Sequence, residues 1–125
     1  MAPHVLVVSR DPVLLQTRRL ILGTFFEVHG AERVSEAEAL LSTQAIDLVI
    51  LCYTLSPAER RAVMELVAGR KWRPALLLVT RVGRVVEQPD PGMAIMTEAG
   101  PYYLLKKAAE ILGMDINMKT HLVEA

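Results

Sequence analysis

"DLVILCYTL", Asp47 to Leu55, is the stretch that decides how this chain is read. From Leu48 to Leu51 apolar residues follow one another without polar alternation, the pattern of a β-strand covered on both faces. The run gives way to a loop at Cys52. Ser56, Pro57 and Glu59 then supply an N-cap, a first-turn proline and a capping box for a helix. A doubly buried strand passing directly into a helix is the unit of a parallel α/β fold. Cys52 is also the only cysteine in 125 residues, so the place where strand becomes loop raises a chemical question as well.

The same grammar extends in both directions. His4–Val8 ("HVLVV") is a second doubly buried strand, followed by Asp11 as N-cap and Pro12 as first helical residue. The helix they open is predicted to run to about Leu22. Leu14, Thr17, Leu20 and Ile21 form its inner stripe, Gln16, Arg18 and Arg19 lie mainly outside, and Gly23 stops it. "FFEVHG" reads as a strand, and Ser35 with Glu38 forms a capping box for a helix through Leu41. After Pro57 the inner stripe is Ala62, Val63, Leu66 and Val67, ending at Gly69; "PALLLVT" and "MAIM" are two further strands. Pro101 opens a last helix to Leu112 with Leu104, Leu105, Ala108, Ile111 and Leu112 on one face. The expected architecture is one domain, 1–125, with a doubly wound parallel five-stranded sheet. Its core is residues 4–112, and the tail 113–125 fits an edge strand or a frayed end equally.

One crossover breaks the rhythm. "RVGRVVEQPDPG", Arg81–Gly92, holds two glycines and two prolines and has no helical stripe. A helical crossover needs about 10–12 residues at minimum, so the fourth helix is expected to be missing or reduced.

Composition narrows function mainly by exclusion. Lys+Arg and Asp+Glu are 14 each, which favours neither nucleic acid nor an anionic membrane. A single cysteine excludes an intrachain disulfide, and His4, His29 and His121 show no metal-ligand spacing. No apolar run approaches the roughly 18–20 residues of a membrane span, and the opening "MAPHVLVV" lacks a basic leader region. A soluble cytoplasmic protein is expected. "GRKWRP" places Trp72 among Arg70, Lys71 and Arg73, but a short cluster in a neutral chain reads as a solvated loop with an anchoring tryptophan. The pairs Arg18/Arg19 and Arg60/Arg61 read as solvated helix faces.

In such sheets ligands gather at the carboxyl ends of the strands, which directs attention to Ser9–Asp11, Cys52–Thr54, Thr80–Arg81 and Thr97–Glu98. With these in view, "HVLVVSRDPVLL", "IDLVILCYTLSP", "PALLLVT" and "GPYYLLKKAAEIL" resemble the receiver domain of bacterial two-component response regulators over about residues 4–112. The resemblance implies a flavodoxin-like sheet in the order 2-1-3-4-5. It also implies a site made of two acidic residues that hold Mg²⁺, a phosphate-accepting aspartate, a Thr or Ser, and a lysine. Carried onto this chain, the acidic pair falls on Ser9 and Arg10, with Asp11 one place later and better explained as a helix cap. The phosphoacceptor falls on Cys52, the Thr/Ser on Thr80, and the lysine on Thr97 with Glu98 after it. A hydroxyl, a cation and a thiol are poor ligands for a hard cation, so Mg²⁺ binding, and phosphorylation through it, are not expected.

Cys52 retains three readings: a small buried hydrophobe, a redox-sensing thiol, or a nucleophile for which no histidine falls at a strand end to act as base. Arg10 reads either as a permanent substitute cation or as a loop arginine paired with Asp11 or Glu98. The expectation is a non-enzymatic, stand-alone pseudo-receiver acting by protein–protein contact. The alternatives are a thiol switch at Cys52 and a regulator still linked to a phosphorelay through an atypical site. The expected interface is the 81–105 face. There the sheet uncovered by the short crossover is expected to be covered by the 81–92 loop with Val82, Val85 and Val86, by the tail, or by another chain; one of Tyr102 and Tyr103 packs while the other meets a partner, and a homodimer is the favoured case.

Overall fold

The computed structural model describes residues 2–70, 73–81, 93–98 and 100–114. Five strands, β1 (His4–Val8), β2 (Glu27–Ala31), β3 (Leu48–Leu51), β4 (Ala75–Thr80) and β5 (Met93–Thr97), form one parallel sheet in the order β2-β1-β3-β4-β5. Helices α1 (Pro12–Leu22), α2 (Val34–Thr43), α3 (Pro57–Ala68) and α4 (Pro101–Ile111) cover it. These four helices among the described residues fit a missing or reduced fourth crossover helix; residues 82–92, where that expectation falls, lie outside the described residues.

Strand alternation assigns the two faces. Val5, Val7, Leu48, Ile50, Cys52, Leu77 and Val79 pack under α1 and α4, against Leu15, Leu22, Leu104, Leu105, Ala108 and Ala109. The alternate residues Leu6, Val8, Val49, Leu51 and Leu78 pack under α2 and α3, against Ala37, Leu41, Val63 and Val67. Because both faces are covered, β3 is buried at all four positions, which is why its sequence shows no polar alternation.

The helix ends follow local chemistry in most places. The Asp11 carboxylate accepts from the Val13 and Leu14 amides at 3.0 and 3.3 Å. Ser56 and Glu59 close a full capping box: the Ser56 hydroxyl accepts from the Glu59 amide at 3.1 Å, and the Glu59 carboxylate from the Ser56 amide at 3.0 Å. The box expected at Ser35 and Glu38 does not form. α2 begins two residues earlier, with Arg33 as an N-cap that makes no side-chain bond, so Ser35 is already inside the first turn. β2 likewise starts at Glu27 rather than Phe25, because Phe25 and Phe26 are held in the turn that follows α1.

The stripe predicted for α1 is out of phase. Its buried residues are Leu15, Arg18 and Leu22, while Leu20 is 70% exposed and Thr17 is exposed too. An arginine therefore occupies the centre of the buried face, and the reading of Arg18 as solvated is corrected. No helix among the described residues is long and apolar enough to cross a membrane.

Candidate functional site

The residues at the carboxyl ends of the strands continue the alternation of the sheet. Ser9 follows Val5 and Val7, Cys52 follows Leu48 and Ile50, and Glu98 follows Ala94 and Met96, so all three emerge on the α1–α4 face. Thr80 and Thr97 are in phase with Leu78 and Ile95 and belong to the other face. The sequence-derived set is thus brought together only in part. Ser9 and Cys52 meet, whereas Thr80 donates to the Met96 carbonyl at 3.3 Å and Thr97 is exposed.

Arg18 reaches this cluster from α1. Side chains on a helix lean towards its N-terminus, and α1 starts at the carboxyl end of β1, so the guanidinium is carried back towards the strand ends. Its Nη1 donates to the Cys52 sulfur and its Nη2 to the Glu98 carboxylate, forming an ion pair. The arginine is 4% exposed and the Glu98 side chain 35%. The Tyr53 ring lies within cation–π reach of two guanidinium groups, Arg18 at 5.8 Å and Arg81 at 5.0 Å. The Glu98 amide also donates to the Thr80 carbonyl at 2.7 Å, which fixes the start of the β5–α4 connection.

Cys52 is fully buried. Burial pushes its thiol up to about 11, against the opposing pull of the Arg18 charge and hydrogen bonds from Arg18 and Ser9; the Glu98 carboxylate adds to the rise. It is therefore a neutral thiol at physiological pH.

The positions where an acidic pair would stand are otherwise engaged. Ser9 is fully buried; its hydroxyl lies 3.1 Å from that of Thr54 and accepts from the Asp11 amide at 3.2 Å. Thr54 also accepts from the Arg10 amide at 2.9 Å. Asp11 is a cap, as expected. Arg10 is half exposed and pairs with Glu59 at 3.4 Å, not with Asp11 or Glu98. The cation in the site is Arg18, which the sequence reading missed.

Among the described residues no group of three or more His, Cys, Asp or Glu is placed to hold a metal. The histidines are nonetheless not all scattered. His4 Nδ1 and His29 Nε2 approach to 3.0 Å, with the rings stacked 5.2 Å apart, because the β1–β2 register sets His4 opposite Glu27, two residues before His29 on the same face of β2.

Of the residues proposed for the interface, Tyr102 and Tyr103 are 50% and 62% exposed, so neither packs inward. Val82, Val85 and Val86 lie outside the described residues, as do Lys71, Trp72 and the tail from 115 onward.

No protein-family model matches the sequence, and neither does any curated protein. Solved structures do match. A response regulator receiver domain protein from Bacillus halodurans superposes with a TM-score of 0.69 at 20% identity, over 88% of this chain and 96% of that one. The signal receiver domain of an HD domain-containing protein from Pseudomonas fluorescens gives 0.75 at 18% identity, over 90% and 96%. The chemotaxis response regulator CheY4 of Vibrio cholerae gives 0.71 at 17%, over 89% and 99%. The chain has the receiver-domain fold. At these identities the likeness establishes fold alone, and function rests on the site.

Proposed function

We propose that this chain is a receiver-like regulator of bacterial two-component signalling that works without phosphotransfer, through contact with another protein. The observation that carries this reading is Arg18. A buried guanidinium occupies the ground beside position 52 where a phosphoacceptor site needs a divalent cation and its carboxylate ligands. The donors around it do not suit Mg²⁺, which seeks several hard oxygens in near-octahedral array. Ser9 offers a neutral hydroxyl already bonded to Thr54, Asp11 is bound to helix amides, Cys52 offers a soft thiol, and Arg18 repels a cation. No phosphoryl transfer, and no other enzymatic step, is assigned to these residues.

Full burial and a raised thiol pKa favour a structural role for Cys52 over the alternative of a thiol switch. Contact through the 81–105 face is favoured by the two exposed tyrosines on the first turn of α4 and by the edge position of β5, with a second copy of the chain as the simplest partner.

The reading is tested by titrating the protein with Mg²⁺, alone and with beryllofluoride, while following amide chemical shifts. No saturable shift at Ser9, Cys52 or Thr80 is expected up to millimolar concentrations, and a saturable shift there overturns it. Sedimentation velocity tests the homodimer: self-association that weakens in a Tyr102→Ala, Tyr103→Ala variant supports it, and a strictly monomeric wild-type chain removes it.

A further inference from the structure

We propose that Arg18 is a built-in latch, fastening α1 to the connection between β5 and α4 and so holding the first turn of α4, with Tyr102 and Tyr103, in one position. Three elements meet on a single guanidinium. Arg18 belongs to α1, Cys52 directly follows β3, and Glu98 directly follows β5. Glu98 is tied twice, through its carboxylate to Arg18 and through its amide to the Thr80 carbonyl. Two residues later Gly100, at φ 106°, forms the N-cap of α4 without a side-chain capping bond. The start of α4 has no side-chain cap of its own, unlike α1 and α3, and Glu98, two residues before its N-cap, is bonded through both its carboxylate and its amide.

The latch is internal at its Arg18 end and reaches the surface at Glu98, which is 35% exposed. Arg18 is almost wholly buried, so no exchange with solvent ions is needed to keep it closed. An ion pair of this kind adds little net stability against an apolar equivalent, but it fixes geometry. Here the geometry fixed is the junction between the strand ends and the exposed tyrosines. The latch concerns the same face as the proposed protein contact, yet its test involves no partner, so the two ideas fail separately.

Hydrogen exchange read by mass spectrometry on the full chain, as wild type, Arg18→Met, Glu98→Gln and the double variant, is the test. Opening the latch is expected to speed exchange over residues 98–105 about tenfold or more beyond whatever rise lower global stability brings to the amides of β1, β3 and α3. The double variant should show no more than the larger of the two single effects, since both break one link. Unchanged exchange at 98–105 in both single variants overturns the latch, as does an equal rise across all elements, which would make Arg18 an ordinary core residue. Should Arg18→Met fail to fold, Glu98→Gln, altering a one-third exposed side chain, decides the matter by the same criteria.

Discussion

Removing either partner of the Arg18–Glu98 pair should have unequal consequences, and the inequality is set by burial. Glu98→Ala leaves a guanidinium 4% exposed whose remaining partners among the described residues are a neutral thiol and the Tyr53 ring. Stranding a buried charge costs about 3–5 kcal/mol; relaxation of Arg18 towards the opening left by a partner that was one-third exposed brings the expectation to about 2–4 kcal/mol. Arg18→Met keeps an unbranched apolar side chain on the buried face of α1, with Leu15 and Leu22, and leaves Glu98 free to hydrate, so about 1 kcal/mol or less is expected. The double variant should fall within about 1 kcal/mol of Arg18→Met, because the stranded charge is gone. For 125 residues at about 2.1 cal/mol/K each, 1 kcal/mol moves the melting temperature by about 4 °C. Glu98→Ala should therefore melt about 8–16 °C lower, and Arg18→Met about 4 °C lower at most. Thermal and urea unfolding followed by circular dichroism, with unchanged m-values, give the numbers. Equal losses in the two single variants, or a larger loss for Arg18→Met, would refute the claim that Arg18 is a buried charge held by Glu98.

The Cys52 thiol should resist labelling at neutral pH in the folded protein and react stoichiometrically after denaturation; rapid labelling of the native chain would contradict its burial. Its folded pKa is raised from 9.0 to about 11, so the contribution it makes is complete below pH 9 and is lost as pH rises towards 11; a Cys52→Ala variant should lack that alkaline decline in urea titrations. His29 behaves in the opposite sense. Burial, the His4 ring and Arg19 hold its pKa below 6.5 while Glu27 opposes them, so its contribution is present above 6.5 and lost as pH falls through the lower folded value. Replacing His29 with Gln should flatten that acid limb, and an unchanged limb would show that other groups set it. Ser56→Ala should cost about 1 kcal/mol by urea unfolding, through the lost capping box of α3.

Much of the fold was legible because its signals are local. β3 declares itself by four consecutive buried residues, α1 by Asp11 and Pro12, and α3 by Ser56 and Glu59. The site was legible only where it coincided with strand ends: Ser9 and Cys52 come together, and Glu98 lies beside them. Arg18 was not, because hydrophobic periodicity chooses the helix phase that keeps cations outside. The choice fell on Leu14, Thr17, Leu20 and Ile21, whereas the true stripe of Leu15, Arg18 and Leu22 contains one cation. The spacing of Leu15 and Leu22, three before and four after Arg18, was the signal available. The stacking of His4 on His29 depends on the register of β1 and β2, which no spacing along the chain displays.

The central claim, that this receiver fold carries no phosphoacceptor, is tested most directly by intact-mass measurement after incubation with acetyl phosphate and Mg²⁺, beside an ordinary receiver domain as control. The account predicts that the control gains a phosphoryl group and this chain keeps its unmodified mass. A stoichiometric, Mg²⁺-dependent gain of one phosphoryl group on this chain would contradict it.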